Sequence, residues 1–254
     1  MRGLSAFAAT LDYHVYALAI PLSIMRAVLS GHGPSVRPFY NVDATLWYEP
    51  RDSTLPTSAL YALVPVPLCC LGLVEYCQPI DSRGVQGKVL RSVRLILGFA
   101  CALAIEAFIV EMGKVGVGYP RPHAVQACLG SVPHAGQETR QVASVAECLP
   151  GTSADVFKSF PSGHASASAC MAWYLVSRMI HASADLRNGK GHRQILVLLA
   201  LLPVVLSWGV CCSRILDYKH DKADVVAGHF IGGVVGVLTY LTIAIGLEDV
   251  PSLP

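Results

Sequence analysis

Six apolar runs, each about as long as a bilayer is thick, constrain the fold of this chain more than any other feature. A membrane-crossing helix needs roughly 20 mostly apolar residues. The six runs lie near residues 12–30, 57–77, 93–112, 163–183, 194–212 and 225–247. Only 14% of the 254 residues are charged, whereas soluble domains average about 25%. The sequence therefore predicts an all-α, polytopic membrane protein, a bundle of six transmembrane helices that forms a single domain over residues 1–254.

Polar residues in the first and third runs bear on where these helices lie. Asp12, His14 and Arg26 interrupt the first run. A signal peptide is the alternative there, but the run has neither a basic start nor a clear small-residue cleavage site, so we expect a retained helix. The third run contains Glu106 and Glu111. Ionisable groups at membrane depth usually face the protein interior, and we expect these two to do so.

Basic residues in two short loops predict the orientation in the membrane. The loop between runs two and three carries four basic residues, Arg83, Lys88, Arg91 and Arg94, and one acidic residue, Asp81. The loop between runs four and five carries three basic residues, Arg187, Lys190 and Arg193, and one acidic residue, Asp185. In a six-helix bundle both loops lie on one side, which the positive-inside rule makes cytoplasmic. Arg178, near the end of run four, can snorkel to the same side.

Three polar segments then fall together on the opposite, extracytoplasmic side. They are Lys114–Pro122, Pro161–His164 and Ser213–Asp224. In the first segment, Lys114 and Arg121 form a cationic pair suited to an anion, because arginine offers a planar fork to two phosphate oxygens and lysine a point charge. Taken alone, the pair is equally typical of ordinary basic residues that flank a membrane span.

The second segment has the features of a helix start that can bind an anion. Ser162 is a natural N-cap, and the N–H groups of Gly163 and His164 would point out of the helix end. Gly163 lets a phosphate approach the backbone closely. His164 could donate a proton to a leaving oxygen. A capped helix with an incidental histidine is the structural alternative.

The third segment supplies a nucleophile. Arg214 can reach phosphate oxygens, and a helix would place His220 and Asp224 one turn apart. A carboxylate there can hold one imidazole nitrogen as N–H, which frees the other nitrogen to attack. The other charged residues of this segment are interpreted as solvated or structural: Asp217, Lys219, Asp221 and Lys222. His229 is interpreted as a packed helix residue. The remaining histidines are interpreted as having no role in the chemistry: His14, His32, His123, His134, His181 and His192.

The sequence gives no indication of a metal cofactor or of a nucleic-acid partner. It has no CxxC or HExxH pattern that would indicate a metal site, and its net charge of +2 is too small to indicate a nucleic-acid partner. Seven of the nine cysteines lie in or beside the apolar runs and are expected to be packing residues. Cys128 and Cys148 lie in the long extracytoplasmic loop, where a disulfide is possible but not dictated by spacing.

Together the segments resemble the type 2 phosphatidic acid phosphatase superfamily, which includes acid phosphatases and vanadium haloperoxidases. Its signature, K-x6-RP, PSGH and SR-x5-H-x3-D, is complete in Lys114 with Arg121-Pro122, Pro161–His164, and Ser213-Arg214 with His220 and Asp224. The chain looks like the lipid phosphate phosphatase branch, over about Pro38 to Gly246. Further segments of similarity are Asp52–Pro56, Arg121–His123, Lys158–Phe160 and Asp217–His220.

The resemblance implies a six-span, metal-independent phosphatase with its site on the luminal or extracellular face. It implies that His220 is the nucleophile that becomes phosphohistidine, that Asp224 orients it, and that His164 is the general acid and base. The implied phosphate ligands are Lys114, Arg121, Ser162, Gly163 and Arg214, with no cofactor.

Position at the bilayer surface favours substrates whose phosphate sits at headgroup depth. Phosphatidate, lysophosphatidate, diacylglycerol pyrophosphate, sphingoid-base phosphates and polyprenyl pyrophosphates all meet that condition, and transfer to an acceptor other than water is an alternative reaction. Two other classes stay open: a vanadium haloperoxidase-like oxidoreductase, which would need added vanadate, and a non-catalytic membrane interaction protein, which would be indifferent to replacement of His220. Plasma membrane, endoplasmic reticulum and vacuole-like membranes all suit this topology.

Overall fold

The structure, a computed structural model, describes residues 13–78, 84–134, 137–185 and 190–248. Over these ranges it is mostly α-helical, as the sequence predicts, with almost no strand. The helices α1 to α9 are Tyr13–Gly31, Thr57–Ala62, Pro65–Cys77, Gly84–Val117, Ala124–Leu129, Gly163–Asp185, Lys190–Leu199, Leu201–Leu216 and Lys222–Glu248. One antiparallel pair of two-residue strands, β1 (Phe39–Tyr40) and β2 (Gln141–Val142), is present.

Every predicted apolar run coincides with one helix or with two consecutive helices. The run at 57–77 is divided into α2 and α3, and α3 begins with proline in its first turn. Proline is favoured there because its missing N–H would have no partner in the first turn. The run at 194–212 is likewise divided at Ala200, between α7 and α8. Asp12, at the start of the first run, lies outside the described residues.

Among the described residues, four segments are long and apolar enough to cross a membrane. They are Thr57–Cys77, Gly84–Val117, Arg193–Leu216 and Lys222–Ala244, and Ala17–Gly31 is a shorter apolar helix. The chain is therefore an integral membrane protein. The predicted fourth run, now α6, is not among the four because small polar residues interrupt its first half. The count of six membrane-crossing helices stays a prediction.

Helix α6 lies at the centre of the bundle, packed against α9, α8 and α4. Its closest neighbour is α9, which presents a glycine every fourth residue. A Cβ added at Gly228, Gly232 or Gly236 would lie 2.4, 1.9 and 2.6 Å from the carbonyl oxygens of Ser162, Ser166 and Cys170, respectively. These glycines let the two backbones approach closely. The start of α9, with Asp224, and the turn before it, with His220, are thereby placed beside the start of α6.

A small folded cap covers the end of the bundle where α4 ends and α6 begins. It has its own apolar core, in which Phe39, Val125, Val142 and Phe157 are buried. Cys128 and Cys148 form a disulfide within it. The cap fixes the loop between α4 and α6, which carries Arg121.

The opposite end of the bundle contains a buried ionic cluster. Glu75 accepts hydrogen bonds from Arg91 Nε at 2.6 Å and Arg178 Nε at 2.5 Å. Arg178 is 3% exposed, so the prediction that it snorkels to the membrane surface is wrong, because a buried carboxylate holds it inside. Three residues of the orientation argument lie outside the described ranges: Asp81, Arg83 and Arg187.

Candidate active site

The three polar segments meet around one cavity of about 440 Å³ between the cap and the bundle. Lys114 and Arg121 reach it from the end of α4 and the following loop, Gly163 and His164 from the first turn of α6, and His220 from the turn before α9. The remaining predicted site residues, Ser162, Arg214 and Asp224, are buried beside these five and do not line the cavity.

His220 is held in one tautomer by the backbone. Its Nδ1 lies 2.7 Å from the carbonyl oxygen of Ser159, and a carbonyl can only accept. Nδ1 therefore carries the hydrogen, and Nε2 keeps its lone pair. Desolvation by burial lowers the pKa of His220 to about 4, although Asp224 opposes the shift. The imidazole is neutral at physiological pH, the state that a nitrogen nucleophile requires.

Asp224 acts on His220 through Ser159. Its Oδ2 accepts hydrogen bonds from Ser159 Oγ at 2.5 Å and from the Asp221 N–H at 3.0 Å. The same carboxylate oxygen is 3.8 Å from His220 Nδ1, which is too far for a hydrogen bond. The direct bond expected from helical spacing is not formed, because α9 begins at Lys222 and His220 lies in the preceding turn. Ser159 therefore links the carboxylate to the imidazole.

The first turn of α6 presents polar atoms that have no protein partner. Within the described part of the chain, Ser162 Oγ and His164 Nε2 are buried without a hydrogen bond. Ser162 occupies the predicted N-cap position, and its N–H donates to the carbonyl of Asp224 at 3.0 Å. Buried polar groups normally find partners. Their lack of one beside a cavity is typical of groups that bind a ligand.

Lys114 and Arg121 are the two predicted phosphate-binding cations, and both line the cavity wall. Arg121 is aimed by Asp155, which accepts from Arg121 Nη2 at 2.7 Å through its carboxylate and from Nε at 2.9 Å through its carbonyl. Lys114 lies against Gly163, and a Cβ added at that glycine would be 3.3 Å from the Lys114 amine. The glycine thus leaves room for the amine at the helix start.

Arg214 is fully buried and fixed by a network that reaches back to the start of α2. Its Nη1 donates to Ser53 Oγ at 2.6 Å and its Nη2 to Asp217 Oδ2 at 2.8 Å. Asp217 also accepts from the N–H and hydroxyl of Thr54. Burial alone would raise the pKa of Asp217, but the Thr54 hydrogen bonds and Arg214 hold the pKa below its ordinary value. Asp217 is therefore structural.

Sequence reasoning missed four residues that support the site. Ser159 and Ser53 fall inside segments that were noted only for similarity, and their spacing gives no sign of the bonds they make. No sequence signal marks Asp155 as the partner of Arg121. His123, predicted to have no role, is buried with Nδ1 3.0 Å from the carbonyl of Tyr218, and burial lowers its pKa.

Within the described ranges, no group of three or more histidine, cysteine, aspartate or glutamate side chains is placed to bind a metal ion. The cavity is instead lined by charged residues of both signs, of which Arg121 and Asp155 form an ion pair: Arg26, Glu106, Glu111, Lys114, Arg121 and Asp155. Chemically, the site combines an anion-binding wall, a neutral imidazole with a free nitrogen, and a second imidazole across from it.

Comparison with known proteins identifies relatives of this arrangement. Residues 95–245 match the PAP2 superfamily. The chain is 29% identical to probable lipid phosphate phosphatase 4 and 30% identical to lipid phosphate phosphatase 1, both of Arabidopsis thaliana, over 80% and 81% of its length. It is 27% identical to rat phospholipid phosphatase 1 over 84% of its length and 77% of the relative. The matches span 59% and 61% of the two plant proteins. No solved structure matches the chain significantly.

Proposed function

Because the chain belongs to the PAP2 superfamily, in its lipid phosphate phosphatase branch, we propose that it hydrolyses the phosphate monoester or pyrophosphate of membrane lipids without a metal ion. The observation that carries the proposal is the fixed tautomer of His220, which leaves the lone pair on Nε2 free. His220 lines the same cavity as His164, Lys114 and Arg121. The named relatives are phosphatases of lipid phosphates, which supports this reaction class for the chain.

The first chemical step transfers the phosphoryl group to His220. Nε2 attacks phosphorus, and a P–N bond forms as the bond from phosphorus to the lipid oxygen breaks. A protonated His164, favoured by the substrate's negative charge, gives its proton to the leaving oxygen. Lys114 and Arg121 stabilise the equatorial oxygens from the cavity wall. The N–H groups at the start of α6 add to this stabilisation.

The second step returns the enzyme to its starting state. His164, now neutral, takes a proton from water as the water oxygen attacks phosphorus. The P–N bond breaks, phosphate leaves, and His220 regains its lone pair on Nε2. The positive charge that His220 carries as phosphohistidine is balanced by Asp224, 3.8 Å from Nδ1.

Arg214 and Ser162 contribute from behind the cavity wall. Arg214 still has N–H groups beyond those bound by Ser53, Ser213 and Asp217. Its charge acts on His164. Ser162 brings an unpaired hydroxyl to the helix start. We assign both to the phosphate-binding set, as ligands that complete the shell once a phosphate displaces water from the cavity.

The proposed location of the site is the luminal or extracellular face. A disulfide persists in oxidising compartments, and the Cys128–Cys148 bond lies in the cap over the cavity. The basic residues Lys88 and Arg193 belong to the opposite end of the bundle, which the positive-inside rule assigns to the cytoplasm. Polyprenyl-pyrophosphate hydrolysis and phosphoryl transfer to a lipid acceptor are alternatives that use the same residues.

Phosphate release from phosphatidate in detergent micelles, in excess chelator, tests the proposal. Purified wild type is expected to release phosphate, and His220→Ala is expected to release none. A His229→Ala variant, altered at a histidine outside the cavity, is the matched control and should keep its activity. Release that needs added divalent metal, or that survives in His220→Ala, would contradict the mechanism.

A further inference from the structure

The cavity does not stop at the phosphate site but continues into the bundle between α1, α2, α4 and α6. Most of this extension is apolar, lined by residues such as Leu60, Leu103 and Met171. Lipid tails fit such a surface. Glu106 of α4 and Arg26 of α1 line the same stretch, and neither is needed to contain a hydrocarbon chain.

Glu106 is the group that stands out. It lies inside an apolar membrane-spanning helix, is 3% exposed and lines the cavity. The hydroxyl of Ser166 lies beside it, and the charges of Lys114 and Arg26 act on it. That hydroxyl is itself buried without a hydrogen bond of normal geometry in the described part of the chain. Ionisable residues at membrane depth are rare and mark sites of function.

The distance from the phosphate site to Glu106 and Ser166 is similar to the distance from phosphorus to a substituent on the second carbon of a lipid phosphate. The Lys114 amine lies 3.3 Å from the position that a Cβ of Gly163 would occupy, and Ser166, beside Glu106, follows Gly163 by three residues in the same helix. Three residues rise about 4.5 Å along a helix. In a lipid phosphate, a substituent on the second carbon from the phosphate oxygen lies roughly 4–5 Å from phosphorus, four bonds of about 1.5 Å away.

We propose that Glu106, supported by Ser166, forms a subsite that accepts a hydrogen bond from a donor on the carbons that join the phosphate to the lipid tail. The donor is the ammonium group of a sphingoid-base phosphate or the free hydroxyl of a lysophosphatidate. Diacyl phosphatidate has only ester oxygens there and offers no donor. This inference rests on the proposed phosphatase function and adds a preference among its substrates.

The test compares three lipids in mixed micelles at equal surface fraction: sphingosine 1-phosphate, lysophosphatidate and diacyl phosphatidate. Wild type, Glu106→Gln, Glu106→Leu and Ser166→Ala are assayed for kcat/KM on each. Ser168→Ala is the matched control, since Ser168 is a buried serine of the same helix that bonds Ser207 on α8. Thermal denaturation of each variant in detergent verifies folding.

Glu106→Gln should lower kcat/KM for the sphingoid phosphate relative to the diacyl lipid by about tenfold, because glutamine keeps an acceptor oxygen but loses the negative charge that strengthens its hydrogen bond to the ammonium group. Glu106→Leu should also lower the relative value for lysophosphatidate. Ser168→Ala should leave all ratios unchanged. Ratios that stay at the wild-type value in folded Glu106 variants would overturn this inference alone. Failure of wild type to release phosphate from any of the three lipids would overturn it together with the proposed function.

Discussion

The backbone carbonyl of Ser159 accepts a hydrogen bond from His220 Nδ1 at 2.7 Å, while the Ser159 hydroxyl donates to Asp224 at 2.5 Å. One residue thus fixes the tautomer of His220, the proposed nucleophile, and is itself fixed by the Asp224 carboxylate. The familiar direct carboxylate–imidazole pair is replaced by a relay through a residue from a different segment. Loss of the hydrogen bond between Ser159 and Asp224 should therefore lower the catalytic rate, because Ser159 would no longer be held in the position that orients His220.

Replacing Ser159 by alanine removes the hydroxyl but keeps the carbonyl that orients His220. We expect kcat to fall about tenfold with little change in KM, because one hydrogen bond of a positioning residue is lost. Asp224→Ala should lower kcat more than tenfold below that of Ser159→Ala, because it also leaves the Asp221 N–H without its acceptor. Ser177→Ala, whose hydroxyl bonds only within α6, is the control for serine deletion. A Ser159→Ala enzyme with unchanged kcat would contradict the relay.

Adding a methyl group at Gly163 should disturb the anion-binding wall. The new Cβ would be 3.3 Å from the Lys114 amine, so the amine must shift by a few tenths of an ångström. We expect Gly163→Ala to lower kcat/KM about tenfold, since misplaced catalytic groups lose rate steeply. Gly209→Ala is the matched control, because nothing lies within 4 Å of a Cβ there. Equal kinetics for the two alanine variants would show that the close approach has no role.

The burial of His220 predicts how stability depends on pH. Its pKa is about 4 in the folded protein against an ordinary 6.5, so between these values the unfolded chain binds a proton that the folded protein does not. Stability therefore falls as pH falls through this window. At pH 4 and below, the wild type should have lost about 3 kcal/mol relative to His220→Gln.

Thermal denaturation in detergent at pH 7 and pH 4.5 measures this difference. The quantity of interest is the difference in stability between wild type and His220→Gln, since the histidines that do not interact with His220 titrate equally in both proteins. On acidification, the wild type should lose more stability than His220→Gln does. A difference that is the same at both pH values would mean that the imidazole is not held neutral by burial.

The ion pair between Arg214 and Asp217 should be a stability determinant. Arg214 is 1% exposed, and removal of its carboxylate partner leaves a buried charge uncompensated. We expect Asp217→Asn to reduce the free energy of unfolding by about 3 kcal/mol or more. Asp43→Asn, at an exposed helix cap, should change it by less than about 0.5 kcal/mol, because asparagine caps a helix about as well as aspartate. Denaturation in detergent at neutral pH compares the two, and equal losses would contradict a structural role for Asp217.

Local hydropathy was enough to predict the helices, because burial of about 20 apolar residues in lipid leaves few alternatives to a helix. It could not predict that the runs at 57–77 and 194–212 each divide into two helices. Nor could it predict that α6 packs closely against α9 at the centre of the bundle. That close approach depends on Gly228 and Gly232, whose role is visible only once the partner backbone is in place.

The residues of the candidate site were predictable because their side chains are of types that bind phosphate or transfer protons. Five of the eight predicted residues line one cavity, and the other three are buried beside it. The bonds that aim them were not predictable, because they join distant parts of the chain through backbone atoms or common residue types. Ser53 meets Arg214 across 161 positions, and Asp155 meets Arg121 across 34. Neither separation has a periodicity that a sequence could display.

The most direct test of the mechanism is to locate the phosphoryl group on the enzyme. His164→Ala, given an aryl phosphate whose leaving group needs no proton, should form the covalent intermediate but hydrolyse it slowly. After rapid quenching at alkaline pH, mass spectrometry and phosphorus NMR should find one phosphohistidine, at Nε2 of His220, and none in the His164→Ala/His220→Ala double variant. Phosphate on Nδ1, on another residue, or on no residue while turnover continues would contradict the assignment of His220 as the nucleophile.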